Sequence, residues 1–463
     1  MTLALQAAPL LVLLALLASG RAGPLAACGI ALAAAIPAIA VTIPEGTSLA
    51  GILLRESPRA VFLALQPIAV VAGGLLFHAA VVQARDVAPR VATPARIFAV
   101  AMPMGVFLES VTGFAVGAVF ALSALRGMGI GGAVAIALAA QSQVMVPWGA
   151  LGPGSALGAV LAGVPVQEMT ALVALPNAAW ILGLAPVLWW LQARAGVPVP
   201  PREKAMQTLM LAVMAALLIG LHAILPFEMV GLVASGMVAV WALWRSDRPR
   251  DPGAALAASW PYLLLTACLL AARLASDPPA FRPFPELPGI PITHVAVVLW
   301  LVAFALLARH GDGWSRAATA LRRAQRPAAA MLLYVLLGRW LAGSGVAQAL
   351  AQALIEGKGA LAAYAVVPMG FLGGFITGSN VGSNAALMPI QVALGQELGL
   401  PVLLAPALHN FAGGAGAGMS IAATAMLCAL LADGTRPVQV WRLLLPSMAL
   451  VMLMGTLALF LLE

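Results

Sequence analysis

The chain has 463 residues, of which 62% are hydrophobic and only 9% charged, and it carries a formal net charge of +8. A soluble protein of this length draws about a quarter of its residues from the charged types, so the composition excludes a water-soluble fold and makes lipid the solvent. The basic charge argues for no nucleic-acid partner, because Arg and Lys are spread thinly between apolar runs, as the positive-inside bias of membrane proteins requires.

Residues 1–23 hold an apolar core without a basic leading region, and another apolar run follows at once; this reads as a first membrane helix and not a signal peptide. Further apolar runs lie at 23–43, 61–82, 96–125, 128–147, 170–190, 206–225, 229–244, 260–275, 292–308, 328–342, 360–376, 388–394, 400–410, 419–432 and 440–462. Some are too short to cross, which leaves roughly twelve crossings. The short alternating segments of a β-barrel are missing from the pattern, and backbone in lipid must pair internally, so the spanning elements are expected to be helices. Cys28, Cys268 and Cys428 stand alone in apolar stretches, with no spacing for a disulfide framework or a zinc site.

Orientation follows from the basic loops. Arg194, Arg202 and Lys204 form one, Arg245, Arg248 and Arg250 a second, and Arg309, Arg316, Arg322, Arg323 and Arg326 a third. Two runs separate each neighbouring pair, so all three are expected on the cytoplasmic side of a bacterial inner membrane, with the proline-rich stretch 277–291 outside. Residues 309–327 read either as a short basic helix on the anionic lipid surface or as a solvated loop.

Four regions, 105–117, 149–163, 377–384 and 413–418, are dense in Gly, Ser, Thr and Asn and interrupt or abut apolar runs. Gly113–Gly117 and Gly378–Gly382 fit the GxxxG pattern of close helix packing. The same composition also suits irregular backbone that lines a cavity. The regions are paired: Glu109 and Thr377 are 377 − 109 = 268 residues apart, Gln141 and His409 are 409 − 141 = 268 apart, and at that offset Gly105 meets Gly373 and Phe107 meets Phe375. The expected fold is therefore an all-α polytopic bundle of two inverted repeats with broken or re-entrant helices and a substrate site between them. Residues 1–225 and 328–463 would form the two halves, with central helices and the basic loop at 226–327.

Glu109 is the acid within the long run 96–125; a charge there is costly, which makes it a functional-site hypothesis and a candidate proton carrier. Thr377, Ser379, Asn380, Ser383 and Asn384 form the densest neutral polar cluster, able to ligate an ion through hydroxyls, amides and freed backbone groups, or to bond helix to helix. Thr112 and Gly113 sit at the matching break. Secondary candidates are Gln141 and Gln143 before one glycine-rich break, His409 and Asn410 before another, and Arg339, which either holds a carboxylate or snorkels to an interface. Neither HExxH, GxSxG nor a Walker A sequence is found, so neither an enzyme nor an ATP-driven pump is expected, and no cofactor or metal.

These motifs carry a family resemblance. FLESVTGF at 107–114 resembles the FLEGAAGF signature of the L-lactate permease family, which includes glycolate permease. SGVAQALA at 344–351, GFITGSNVGSNAAL at 374–387 and the segment 410–423 resemble later signatures of the same family, in the same order. The resemblance implies import of a short 2-hydroxymonocarboxylate with protons, inverted repeats and elevator-like movement, with Glu109, Ser379, Ser383 and Asn384 at matching positions. The family's aspartate in its GSD motif is Asn380 here, and the lysine of its TGKMIS motif is Gly418. The expectation is a secondary permease for a small organic anion such as lactate or glycolate, with a co-transported proton, the lipid bilayer and a second copy of the chain in a homo-oligomer as its partners. The alternatives are a sodium-coupled or passive carrier, in which Asn380 and Asn384 help bind the cation, and a non-transporting membrane scaffold.

Overall fold

The structure is a computed structural model that describes residues 2–44, 46–81, 91–248, 252–275 and 277–463; Met1, Val82 and Arg250, named above, lie outside these. The chain runs α1 (Thr2–Ala18), α2 (Pro24–Ala40), α3 (Leu49–Val81), α4 (Pro94–Ala99), α5 (Gly105–Thr112), α6 (Val116–Gly127), α7 (Gly132–Ala140), α8 (Pro153–Ala162) and α9 (Val166–Arg194). There follow α10 (Pro201–Gly220), α11 (Phe227–Ser246), α12 (Pro252–Ala272), α13 (Val295–Leu307) and α14 (Gly313–Gly343). The last elements are α15 (Val346–Lys358), α16 (Val366–Thr377), α17 (Asn380–Glu397), α18 (Leu404–Gly418), α19 (Ile421–Leu431) and α20 (Pro437–Leu462). A two-stranded antiparallel ribbon, β1 (Ala280–Phe281) with β2 (Ile290–Pro291), lies within the proline-rich stretch.

Among the described residues, eight helical stretches are long and apolar enough to cross a membrane, and six shorter apolar helices accompany them. The chain is thus a multi-pass helical membrane protein. Proline opens many of the helices, at the first position of α2, α4, α8, α10 and α20, where its missing N–H has no intrahelical partner to lose. Thr93 caps α4 by accepting a hydrogen bond from Arg96 N at 3.3 Å.

The spacing of 268 residues carries through to whole elements. α8 begins at Pro153 and α19 at Ile421 (421 − 153 = 268), and α9 ends at Arg194 and α20 at Leu462 (462 − 194 = 268). Ahead of them α7 with its following turns corresponds to α18, and α6 to α17.

One break falls in a glycine-rich region flagged in the sequence, and one expectation changes. Residues 96–125 are not one helix: α4 passes through a wide π turn at Val100–Met104 into α5, which stops at Gly113. Pro103 lies in that turn, where its ring and missing donor interrupt the ordinary ladder. Residues 309–327 are neither a separate surface helix nor a loop; from Gly313 they are helical and continue through Pro327 into the apolar part of α14. Ala317, Ala320 and Ala324 bury one face of that segment, and α14 packs along α3. Small residues three and four apart allow this close approach.

The basic segments are tied to neighbouring helix ends. Arg245 at the end of α11 is ion-paired with Glu203 at the start of α10, and Arg96 at the start of α4 lies 3.8 Å from Asp247. Arg316 donates to the carbonyl of Ala79 near the end of α3 at 3.5 Å, and the Arg309 guanidinium sits 5.0 Å over the Trp260 ring.

Candidate functional site

A cavity of about 290 Å³ lies where the broken helices of the two halves meet. Four helix N-termini contribute to its wall: Ala115 precedes α6, Pro153 and Gly154 open α8, Ser379, Asn380 and Val381 open α17, and Ala422 and Ala423 lie in the first turn of α19. They form two pairs, α6 with α17 and α8 with α19, related by the repeat. Each helix start leaves amide N–H groups without intrahelical acceptors and a partial positive charge. Gln143, Met331 and Met426 complete the wall, and no Lys or Arg is among the described lining residues.

Glu109 is the carboxylate at this cavity. It is 5% exposed, and its two oxygens accept from the backbone amides of Ala115 and Gly117, each at 3.1 Å. The side chain at the end of α5 therefore caps the start of α6 across the break. The break itself has Gly113, Phe114 and Ala115 all at positive φ (68°, 56° and 59°). A second such run, Ala150, Leu151 and Gly152 (51°, 64° and 77°), precedes α8. Left-handed backbone at non-glycine residues costs about 1–3 kcal/mol each and persists where the surroundings over-determine it. Here it turns two helix starts toward one cavity. At the equivalent place in the second half the turn needs only Gly378 (φ 73°), after which Ser379 accepts from Gly382 N at 3.3 Å to cap α17.

Behind the cavity a buried polar network ties the halves together. Asn410 on α18 accepts from Asn380 Nδ2 at 3.0 Å and from Asn384 Nδ2 at 2.8 Å, and donates to Ser155 Oγ at 2.8 Å. Ser155 donates to the carbonyl of Pro147 at 2.6 Å, and Asn384 also donates to the carbonyl of Gly154 at 2.9 Å. The side-chain oxygens of Asn380 and Asn384 are buried without a hydrogen-bond partner. Gly154 sits so close to Asn380 that an added Cβ would lie 2.9 Å from its Nδ2.

Of the residues singled out in the sequence, Glu109, Gly113, Gln143, Ser379 and Asn380 line the cavity. Asn384, Asn410, Ser383 and His409 stand behind it: Ser383 donates to the carbonyl of Gly370 at 3.1 Å, and His409 Nε2 lies 3.4 Å from its hydroxyl. Thr112 and Thr377 return their hydroxyls to their own helices, at Leu108 O and Gly373 O. Gln141 donates to Ala137 O at 3.1 Å and meets Ser447 on α20 at 3.3 Å. Arg339 is not at the cavity; it is ion-paired with buried Glu56 on α3. Gly418, where the resembled family has lysine, packs against Gln143, whose Cβ would be 2.5 Å from an added Cβ. Ser155 and Glu56 escaped the sequence reading. Ser155 lay inside a flagged glycine-rich region, and nothing local marked Glu56 as the partner of an arginine on another helix.

Comparison with known proteins bears on this geometry. Residues 287–463 match the model of the L-lactate permease family. The likeness read from the motifs therefore holds over residues 287–463, α17 to α19 included; the FLESVTGF segment lies outside the matched residues. No curated protein matches the chain in sequence. The structure is similar to that of the YdaH transporter of Alcanivorax borkumensis, described as having an unusual topology, with a TM-score of 0.52 at 15% identity over 95% of this chain and 98% of that one. That likeness concerns the fold. With the permease family match, it supports a membrane transporter and not an enzyme.

Proposed function

We propose that the protein is a secondary transporter for a small organic monocarboxylate such as lactate or glycolate, taken up across a bacterial inner membrane together with a proton. The observation that carries this reading is the pair of amides held by Glu109 at a cavity where four helix N-termini meet. Helix N-termini at a mid-chain break favour the carboxylate of a substrate. The cavity lies at the lower end of the volume range of small-molecule sites, which suits a ligand of a few heavy atoms.

Charge balance supplies the coupling. With Glu109 ionised, its carboxylate fills the α6 amides and repels a second carboxylate. At a separation of about 6 Å and an effective dielectric of about 20, that repulsion is about 3 kcal/mol, or roughly a hundredfold in affinity. A proton on Glu109 removes the repulsion and frees an amide for the incoming anion. Substrate and proton then bind together and leave together, and apparent affinity falls as pH rises.

A second reading has its own support. The unpartnered oxygens of Asn380 and Asn384 are neutral acceptors of the kind that bind Na⁺, which would make the anion carrier sodium-coupled. Uptake of labelled lactate and glycolate into proteoliposomes, with pH and sodium gradients imposed separately, tests both. Accumulation driven by an inward proton gradient alone is expected. Accumulation driven only by sodium would select the second reading, and no uptake of any small carboxylate under either gradient would leave a non-transporting scaffold.

A further inference from the structure

A second cavity, of about 310 Å³, opens between the end of α3 and the basic first half of α14. Leu75, His78 and Ala79 line one side, and Ser315, Arg316, Thr319 and Arg323 the other. On α14 these last three recur at intervals of three and four, so they share one helix face. Arg316 is the better anchored: its Nε donates to Asp312 at 2.8 Å, and another nitrogen reaches Ala79 O at 3.5 Å. Arg323 has no ion-pair partner among the described residues. Thr319 uses its hydroxyl proton on Ser315 O at 2.9 Å.

The neighbours of this cavity suit a membrane surface. α3 is long and apolar enough to cross a membrane, and the cavity lies against its last described turns. Trp314, one residue before the cavity lining, is 84% exposed, as an aromatic side chain anchored at the headgroup level would be. Arg309 before α14, and Arg322 and Arg326 further along it, add positive charge to the same segment. The cavity is thus basic on its α14 side and apolar at Leu75, within the basic stretch that leads into the apolar part of α14.

We propose that this cavity binds the phosphate of an anionic phospholipid, with Arg316 and Arg323 as the charged donors and the Leu75 side as the seat of the first acyl carbons. Guanidinium groups suit the task because they offer planar paired donors to phosphate oxygens. A free phosphate presents the same oxygens but no acyl chain, so the two sources are separable by experiment. The site does not involve the substrate cavity and stands whether or not the transport reading holds.

The test is native mass spectrometry of purified full-length protein titrated with phosphatidylglycerol, with phosphatidylcholine and with inorganic phosphate. Phosphatidylglycerol is expected to bind as a discrete adduct that phosphatidylcholine does not reproduce and millimolar phosphate does not displace. Arg316→Ala and Arg323→Ala should each weaken it about tenfold, as for one lost charge-assisted contact, while Arg322→Ala, a neighbour outside the cavity lining, keeps it. Thermal unfolding of each variant reports whether it is folded, and Arg323→Gln replaces any that is not. Equal loss in the Arg322 variant would mean diffuse attraction to the basic helix, and full displacement by phosphate would mean a free-anion site; either overturns the proposal.

Discussion

Replacing Asn384 with alanine separates a scaffold residue from a substrate ligand. Its amide nitrogen already donates to Gly154 O at 2.9 Å and to Asn410 Oδ1 at 2.8 Å, and the residue is fully buried behind the cavity. The variant loses both interhelical bonds. Asn410 keeps the bond from Asn380, so it is not stranded. In membrane proteins such bonds average about 0.6 kcal/mol and reach about 1.7, so the expected loss is about 1–3 kcal/mol of stability. Because the lost bonds hold the start of α8 at the cavity wall, carboxylate affinity should fall as well, but by less than about tenfold, since no direct ligand is removed. Thermal unfolding of the ligand-free protein and a direct binding titration read the two effects apart. Unchanged ligand-free stability with an affinity loss of ten- to a hundredfold would make Asn384 a substrate ligand and refute the reasoning.

Glu109→Gln should bind carboxylates with an affinity that no longer varies with pH, up to about a hundredfold tighter than wild type where Glu109 is ionised, and should lose proton-driven accumulation in proteoliposomes. Gly154→Ala, whose Cβ would meet Asn380 Nδ2 at 2.9 Å, should displace Asn380 and weaken binding while the protein still folds, which binding and melting measurements check together. Arg339→Lys should lower the melting temperature by weakening the pair with Glu56 and leave substrate affinity within about twofold; a large affinity loss would put Arg339 back in the site. Cysteines placed at Arg202, Arg248 and Arg322 should resist labelling from the periplasm, and reaction at any one of them would contradict the shared cytoplasmic face.

Much of this was legible in the sequence. Composition alone requires helices in lipid, and the offset of 268 found in a few residues recurs in the starts and ends of whole helices, because repeated backbone needs glycine and polar residues at the same breaks. Glu109 stood out because an acid within so long an apolar run has few inexpensive roles. Its partners did not: the amides of Ala115 and Gly117 are backbone groups, silent in any residue pattern. The amides at the start of α6 are held by the protein's own carboxylate. The asparagines could be read as ligands or as helix-to-helix bonds; Asn380 lines the cavity and Asn384 does not, a distinction set by the rotation of α17. Arg339 had two readings, headgroup or substrate, and the structure supplies a third in Glu56, 283 residues away in the chain.

The most direct test of the shared amide site is the proton balance of substrate binding. Calorimetric titration of purified protein with lactate or glycolate, in buffers of different ionisation enthalpy and over a series of pH values, counts the protons exchanged. The expected result is uptake of a proton with each anion bound where free Glu109 is ionised, and no uptake in Glu109→Gln. Binding without proton uptake at any pH, or uptake that survives in that variant, would contradict it.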